Sequence, residues 1–499
     1  MSVILINPNL IVQRNDPFTT GIVYMPISLA YTAASLREGG VEVQVIDAFA
    51  ENPRQARAQD DFLLLGLSTE EVLQRIPQST KAVFIYAINL TNHLSTMHII
   101  REIKAERPDL PIVVLENTQA VTAYALSRVA QEFLDAGVDY VLTGEADRNA
   151  VKLAQTLEAG DDESVYQIPG LVTSGFAVPQ GDYLAEDELD ELPFPAWDLF
   201  PLENYWGLRF AHGPQSSKRY LPLLTSRGCP YPCEFCVVPA TNNQKWRPRS
   251  ASNVVDEMAH YMKAFGVNEF HIEDLDPTIS DERIRAICHE IINRDLDVVW
   301  KISAGTKVET IRDEETIDLM AQAGCRYISI SPETGSPRLL KTMRKPFDLE
   351  HAVRLVKRMN EAGIRSQACF VLGYPGETDE DRQMTWDMVN DLTRKGVDEV
   401  ALFVITPVPG SAIFDQFEGY QNLSQLNFSP TWREDYAELA RFRLRLYAHF
   451  LWWKLRYHPL KIMRQPFNFL LRRFETKMEM VPYRALILYL LGRKATHNS

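Results

Sequence analysis

Three of the six cysteines in the 499-residue chain fall within eight positions, in the run Thr225-Ser226-Arg227-Gly228-Cys229-Pro230-Tyr231-Pro232-Cys233-Glu234-Phe235-Cys236. A C-x3-C-x2-C loop gathers soft thiolates on one flexible segment, which is the donor chemistry that wraps an iron-sulfur cluster. Three thiolates leave one coordination position open. Open positions mark catalytic metal sites, whereas structural sites are closed by four protein ligands. Zinc is the competing occupant, and no fourth Cys or His stands at standard spacing nearby to complete its tetrahedron. Cys288, Cys325 and Cys369 lie singly in apolar surroundings and are expected to be small buried hydrophobes.

Strand and helix patterns alternate around that loop. Strands are expected at residues 220–225, 269–272, 298–303, 326–331, 367–372 and 399–406, with helices at 252–265, 281–294, 314–323, 349–362 and 379–395 between them. Six such strands make a partial (β/α)6 barrel, whose active sites lie at the carboxyl ends of the strands. The cysteine loop begins at one of those ends. An earlier alternation, with strands at 3–7, 41–46, 82–87, 112–115 and 140–142 and helices at 27–38, up to 103, 123–136 and 146–157, reads as an α/β, doubly wound, Rossmann-like sheet.

The turn after its first strand, Asn7-Pro8-Asn9, is not G-x-G-x-x-G, and no G-K-[ST] occurs, so ordinary NAD, FAD and P-loop chemistry is unsupported. Ligands of such sheets bind beyond the carboxyl ends of the strands, at residues 7–9, 89–92, 116–119 and 143–145. Those polar loops single out Asn7, Asn89, Thr118, Gly144 and Glu145, each of which could equally be a turn or cap residue. The expected organisation is residues 1–160 as the Rossmann-like domain, 161–217 as an irregular linker on a surface, 218–420 as the partial barrel and 421–499 as a basic helical region.

A composition of 45% hydrophobic and 24% charged residues suits a globular chain of about three units. The net charge of −14 argues against a general nucleic-acid binder. From residue 441 onward thirteen Lys and Arg stand against Glu475 and Glu479, a local +11 that leaves −25 on residues 1–440. In this tail Arg441, Arg443, Arg445, Lys454 and Arg456 interleave with Trp452, Trp453, Phe467 and Leu470. Two readings follow: an interfacial helix drawn to anionic lipid, or a helical cap whose arginines pair with the acidic body. The first residues lack the basic start of a signal peptide and no apolar run approaches 18 residues, so a cytoplasmic location is expected, with contact at the cytoplasmic face of a membrane left open.

The cysteine loop resembles that of radical S-adenosylmethionine (SAM) enzymes of the class with an amino-terminal cobalamin-binding domain, and the resemblance covers residues 1 to about 420. It implies that Cys229, Cys233 and Cys236 hold a 4Fe-4S cluster whose open iron chelates SAM, with Phe235 near the adenine. Phe270-His271-Ile272-Glu273-Asp274 is similar to the family's second-strand acidic motif, which makes Glu273 or Asp274 the acceptor for the SAM amino group. Ser329-Ile330-Ser331-Pro332-Glu333-Thr334-Gly335-Ser336 resembles the fourth-strand segment, with Glu333 at its acidic position and Ser331-Pro332 departing from the pattern. Leu372-Gly373-Tyr374-Pro375-Gly376-Glu377-Thr378 matches the fifth-strand segment, where Gly373 and Gly376 let backbone approach the adenine. Ile405-Thr406-Pro407-Val408-Pro409-Gly410-Ser411 matches the sixth.

In the amino-terminal half Met25-Pro26-Ile27-Ser28-Leu29-Ala30-Tyr31, Val45-Ile46-Asp47-Ala48 and Val141-Leu142-Thr143-Gly144-Glu145 are similar to family segments. D-x-H-x-x-G is absent, which implies cobalt without a histidine ligand. The activity implied is cobalamin-dependent methylation of an unactivated carbon through a 5'-deoxyadenosyl radical. Radical cyclisation, oxidation or rearrangement without methyl transfer is the alternative, and a non-catalytic cobalamin or cluster sensor a minor one. The partners implied are a small-molecule or lipid-linked substrate, an external electron donor such as flavodoxin or ferredoxin, and no nucleic acid.

Overall fold

The computed structural model describes residues 1–497 except 15, 17, 181 and 182. The first ten strands are β1 (Ser2–Asn7), β2 (Leu10–Gln13), β3 (Glu42–Asp47), β4 (Ala56–Gln59), β5 (Phe62–Leu65), β6 (Ala82–Ala87), β7 (Ile112–Glu116), β8 (Tyr140–Leu142), β9 (Leu171–Thr173) and β10 (Phe176–Ala177). Seven of them form one sheet in the order β10-β9-β8-β7-β6-β1-β3. Its β8, β7, β6, β1 and β3 are parallel, as expected, and β6 is buried along its whole length because helices cover both faces. The order of these five, read in chain sequence, is the flavodoxin-like 2-1-3-4-5, which reverses direction between β1 and β6. The hairpin β9-β10 extends the sheet antiparallel, and β2-β5-β4 form a separate antiparallel sheet that was not expected.

The remaining strands are β11 (Leu221–Leu223), β12 (Ser226–Arg227), β13 (Arg247–Pro248), β14 (Glu269–Ile272), β15 (Val299–Thr306), β16 (Cys325–Glu333), β17 (Arg365–Leu372) and β18 (Glu399–Val404). Six of these run parallel in sequence order, β11-β14-β15-β16-β17-β18, an open barrel rather than a closed eight-fold one. Side-chain caps start its covering helices: Ser250, Ser280, Asp348 and Thr378 each accept a backbone N–H of the first turn. Gly266 and Gly396 end two of them in the left-handed conformation. The short pair β12-β13 is antiparallel and closes the base of the segment that carries the cysteines.

Of the expected surface linker 161–217, the part from Leu192 onward is largely packed rather than laid on a surface. Trp197 and Tyr205 are fully buried between the two sheets, and each such ring removes on the order of 200 Å² from water, roughly 5 kcal/mol of transfer free energy, which no exposed strap would collect. Hydrogen bonds stitch the segment to both sides: Ala196 N–H to the Ala30 carbonyl, Tyr205 Oη–H to Asp47 (2.6 Å), and Tyr261 Oη–H to the Pro195 carbonyl (2.8 Å). The prolines punctuate the path, but the aromatics place it.

Three helices, Tyr436–Tyr457, Pro459–Leu471 and Lys477–His497, follow the barrel. The first packs on β18 and the helix Asp379–Lys395, and the third on β4. The start of the third is seated in the barrel: Glu399 of β18 accepts the N–H groups of Lys477 (3.1 Å) and Met478, so a carboxylate lies at the positive end of the helix. Lys477 Nζ reaches the Ser303 carbonyl (2.8 Å), and Arg484 donates to the Phe18 carbonyl (2.7 Å). Among the described residues no helix is long and apolar enough to cross a membrane.

Candidate active site

The cysteine loop leaves β12 at Gly228, whose φ of +78° and approach to the Lys245 carbonyl admit no side chain. Cys229, Cys233 and Cys236 are half-buried free thiols. Between them Glu234 is held on all sides: its N–H donates to the Met343 carbonyl (3.0 Å), its carbonyl accepts from Ala412 N–H (2.9 Å) and its carboxylate from Tyr374 Oη–H (3.2 Å). The loops after β16, β17 and β18 thus fix the loop after β12. Phe235 packs in a small apolar cluster with Leu339, Met343, Tyr374 and Ile405.

Burial pushes all three thiols up, Cys229 to about 12 with help from the nearby Asp276 carboxylate, while the Lys345 ammonium pulls each of them down. A coordinated metal reverses that order, because thiolate is the form that binds it. Lys345 pairs with Glu333 and lies 5.9 Å above the Phe235 ring. Glu333 holds φ +62° beside a bulge in β16, a strained position for a non-glycine residue, and its carboxylate pairs with Lys345. Lys307 stands 4.6 Å over the Tyr231 ring, between Cys229 and Cys233 in sequence.

The two expected SAM-amino acceptors have other partners here. Asp274 is buried and accepts from Thr225 N–H (2.7 Å), Thr225 Oγ1–H (2.6 Å) and Ser226 Oγ–H (2.5 Å), which ties β14 to the root of the cysteine loop. Glu273 is hydrogen-bonded to His212 Nδ1 at 2.5 Å. The carboxylate that acts on Cys229 is Asp276, which the motif reading passed over. Its hydrogen bonds from Thr306 Oγ1 (2.5 Å), Thr278 Oγ1 (3.1 Å) and Thr278 N–H (3.4 Å) all go to Oδ1. The signal was present as the third acid of Glu273-Asp274-Leu275-Asp276.

Gly376 (φ +79°) has open space where a Cβ would sit. Gly373 (φ +75°) does not, since Leu439 and Arg433 fill that space. The same turn holds Glu377, whose Oε2 accepts Gly373 N–H (2.7 Å) and whose Oε1 is buried without a partner. Burial pushes this carboxyl up to about 7. A value raised on folding contributes stability below the unfolded carboxyl range, and that contribution is lost as pH rises through 7. Glu377→Gln keeps an acceptor and cannot ionise. The variant is expected to gain on the parent by about 2–3 kcal/mol as pH is raised from about 5 to 8.5, read from paired unfolding curves; parallel pH profiles would refute it.

At the switch point of the first sheet a narrow cleft is lined by Asn7, Pro8, Tyr24, Ile88, Asn89 and Asn92. Asn7 Nδ2–H donates to Asp47 (2.9 Å), while Asn7 Oδ1 is buried without a partner. Asn89 caps the turn Leu90–Asn92. The other three loop residues are engaged elsewhere. Thr118 gives its carbonyl to Asn242 Nδ2–H (2.8 Å), Gly144 N–H donates to Glu116 (2.5 Å), and Glu145 pairs with Arg247 (2.6 Å). Asp147 pairs with Arg227 (2.6 Å) just ahead of the cysteines, so two buried ion pairs clamp the first sheet to the base of the cysteine loop.

Cleft and barrel meet at Tyr24. Its ring lies 4.6 Å from that of His212, which carries Glu273 at the carboxyl end of β14. Burial pushes His212 below its ordinary value, while the Glu273 carboxylate pulls the other way.

A family profile for the Radical SAM superfamily matches residues 223–389, which include all three cysteines of the loop. The chain is 28% identical over 448 residues to a cytidylyl-2-hydroxyethylphosphonate methyltransferase of Streptomyces wedmorensis, covering 82% of this chain and 80% of that one. It is 26% identical over 406 residues to an anaerobic magnesium-protoporphyrin IX monomethyl ester cyclase of Rubrivivax gelatinosus, covering 78% of this chain and 66% of that one. In fold it is similar to the radical SAM methyltransferase TsrM of Kitasatospora setae, solved with cobalamin and a [4Fe-4S] cluster (TM-score 0.62, 20% identity, 84% of this chain and 76% of that one). It is also similar to the cobalamin-dependent SAM radical enzyme OxsB (TM-score 0.60, 18% identity, 90% of this chain and 56% of that one). Residues 223–389 thus match a radical SAM superfamily domain, and the chain as a whole shares the fold of the solved cobalamin-dependent radical SAM enzymes TsrM and OxsB.

Proposed function

We propose that the protein methylates an unactivated carbon of a small-molecule substrate by cobalamin-dependent radical SAM chemistry. The observation that carries this reading is the meeting of the switch-point cleft and the barrel at Tyr24, His212 and Glu273. In this reading residues 218–420 form the radical SAM barrel, 1–160 with the added hairpin β9-β10 the cobalamin-binding domain, the rest of 161–217 the connection between them, and 421–499 the basic helical region.

The residues present suit both groups. Cys229, Cys233 and Cys236 offer three free thiols on one pinned loop, and Lys345 and Lys307 lie close enough to offset anionic charge there. Asn7 Oδ1, buried and unpartnered in the cleft, suits a ligand rich in amide donors, with Asn89 beside it. Bound together, the cluster and cobalamin supply the electron that cleaves SAM to a 5'-deoxyadenosyl radical and the methyl group that is transferred.

The chain's own share is placement. Phe235 and Gly376 border the adenine position. Asp276 Oδ2 accepts from the SAM amino group in place of Asp274, and Glu333 fixes Lys345 beside the loop. Tyr24 and His212, oriented by Glu273, hold the substrate between the two cofactors. Thr118, Gly144 and Glu145 act by shaping the domain contact rather than by touching cobalamin. An external one-electron donor of the flavodoxin or ferredoxin kind completes the cycle.

Radical cyclisation without methyl transfer is the second reading, favoured by the likeness to the anaerobic cyclase. One anaerobic assay separates the two: reconstituted protein with reductant, cobalamin, methyl-labelled SAM and cell extract. Matched S-adenosylhomocysteine and 5'-deoxyadenosine with label in a product is the expected result. Deoxyadenosine with no label in a product selects cyclisation, and neither product with the cluster intact overturns both.

A further inference from the structure

We propose that the outward face of the helices Tyr436–Tyr457 and Pro459–Leu471 docks on an anionic lipid bilayer. Soluble helices turn their apolar stripe toward the core. These two turn one outward as well. Trp452 and Leu455 on the first helix, and Leu460, Met463, Phe467 and Leu470 on the second, follow helical spacing and are between 48% and 77% exposed. The second helix has no buried residue at all, although leucine, isoleucine, methionine and phenylalanine make up more than half of Pro459–Leu471. A contiguous exposed apolar surface of this kind marks a contact with a partner or a membrane.

Charge selects the occupant. Arg441, Arg445, Arg456, Arg464 and Arg473 are exposed around the stripe and have no carboxylate within 4.0 Å among the described residues. The tail's two acids are turned away: Glu475 pairs with Arg365 of the barrel (2.6 Å), and Glu479 is buried and accepts from Glu475 N–H (2.9 Å). Lys461, with Asp398 (3.0 Å), and Arg443, with Asp16 (3.9 Å), realise part of the alternative expectation of a cap paired with the acidic body. A second copy would have to set this face against its own arginines. Anionic headgroups meet the arginines while the tryptophan, phenylalanine and leucine side chains enter the boundary below them. Since no described helix can cross a bilayer, the helices lie on it.

The test uses the full chain and two vesicle preparations, phosphatidylcholine alone and phosphatidylcholine with about a third phosphatidylglycerol, read by flotation. The bound fraction on anionic vesicles is expected to be at least tenfold higher and to fall steeply at 0.5 M salt. Phe467→Glu with Leu470→Glu is expected to remove it at least tenfold with an unchanged unfolding temperature, since both side chains already face solvent. Arg456→Gln with Arg464→Gln is expected to flatten the salt dependence. No partition onto anionic vesicles, or equal partition of the glutamate variant, overturns the proposal. Self-association in solution that the glutamate variant abolishes overturns it in favour of a second copy.

Discussion

Alanine at any one of Cys229, Cys233 or Cys236 is expected to abolish the brown cluster absorption after anaerobic reconstitution and to lower reductive SAM cleavage by at least about 1000-fold, roughly 4 kcal/mol in the barrier. The three thiols share one loop, and that loop is pinned by Met343, Tyr374 and Ala412, so a missing thiolate cannot be replaced by a neighbour sliding in. Cys288, Cys325 and Cys369 are buried away from it, and Cys288→Ala serves as the control: a modest packing loss with the absorption and cleavage retained. Full cluster content and cleavage in Cys233→Ala would remove the assignment.

The second large effect is structural. Arg227→Met leaves Asp147 charged and buried without its partner, which costs about 3–5 kcal/mol and lowers the unfolding temperature by several degrees or more. Arg227 lies two residues before Cys229, so cluster occupancy after reconstitution is expected to fall with stability. Arg227→Met combined with Asp147→Leu removes both charges and is expected to recover most of the loss, because an apolar pair of similar volume replaces a desolvated ion pair at little cost. A single variant with an unchanged melting curve would show that the clamp carries no weight.

What could be read from the sequence was what is local. The cysteine loop is a spacing of seven residues, and the barrel strands and helices are periodicities a few turns long, so 269–272 and 379–395 were placed as they stand in the fold. The partners of Asp274 and Glu145 were not legible, because Thr225 is 49 positions and Arg247 102 positions away, and no pattern within a strand reports such a pairing. The sheet β2-β5-β4 was missed because its strands are four residues each, too short for an alternation, although Phe62-Leu63-Leu64-Leu65 is a wholly buried run. Residues 161–217 read as an irregular linker because no helix or strand period runs through them. Trp197 and Tyr205 show that the aromatics held the information, since rings of that size are seldom left in water when two sheets stand ready to cover them.

The seating of the helix Lys477–His497 also governs how the chain can fold as it is synthesised. Arg484 holds the Phe18 carbonyl, Leu488 fills the space beside Gly21, and the helix covers β4. Segments nearly 470 residues apart therefore complete one another. The small antiparallel sheet near the amino terminus leaves the ribosome long before the helix that covers β4, although Leu94 already packs on its Ile11, Phe62 and Leu64. On a nascent chain the contacts of Arg484 and Leu488 therefore form last, a long-range closure that waits for residues 477–495 to be released.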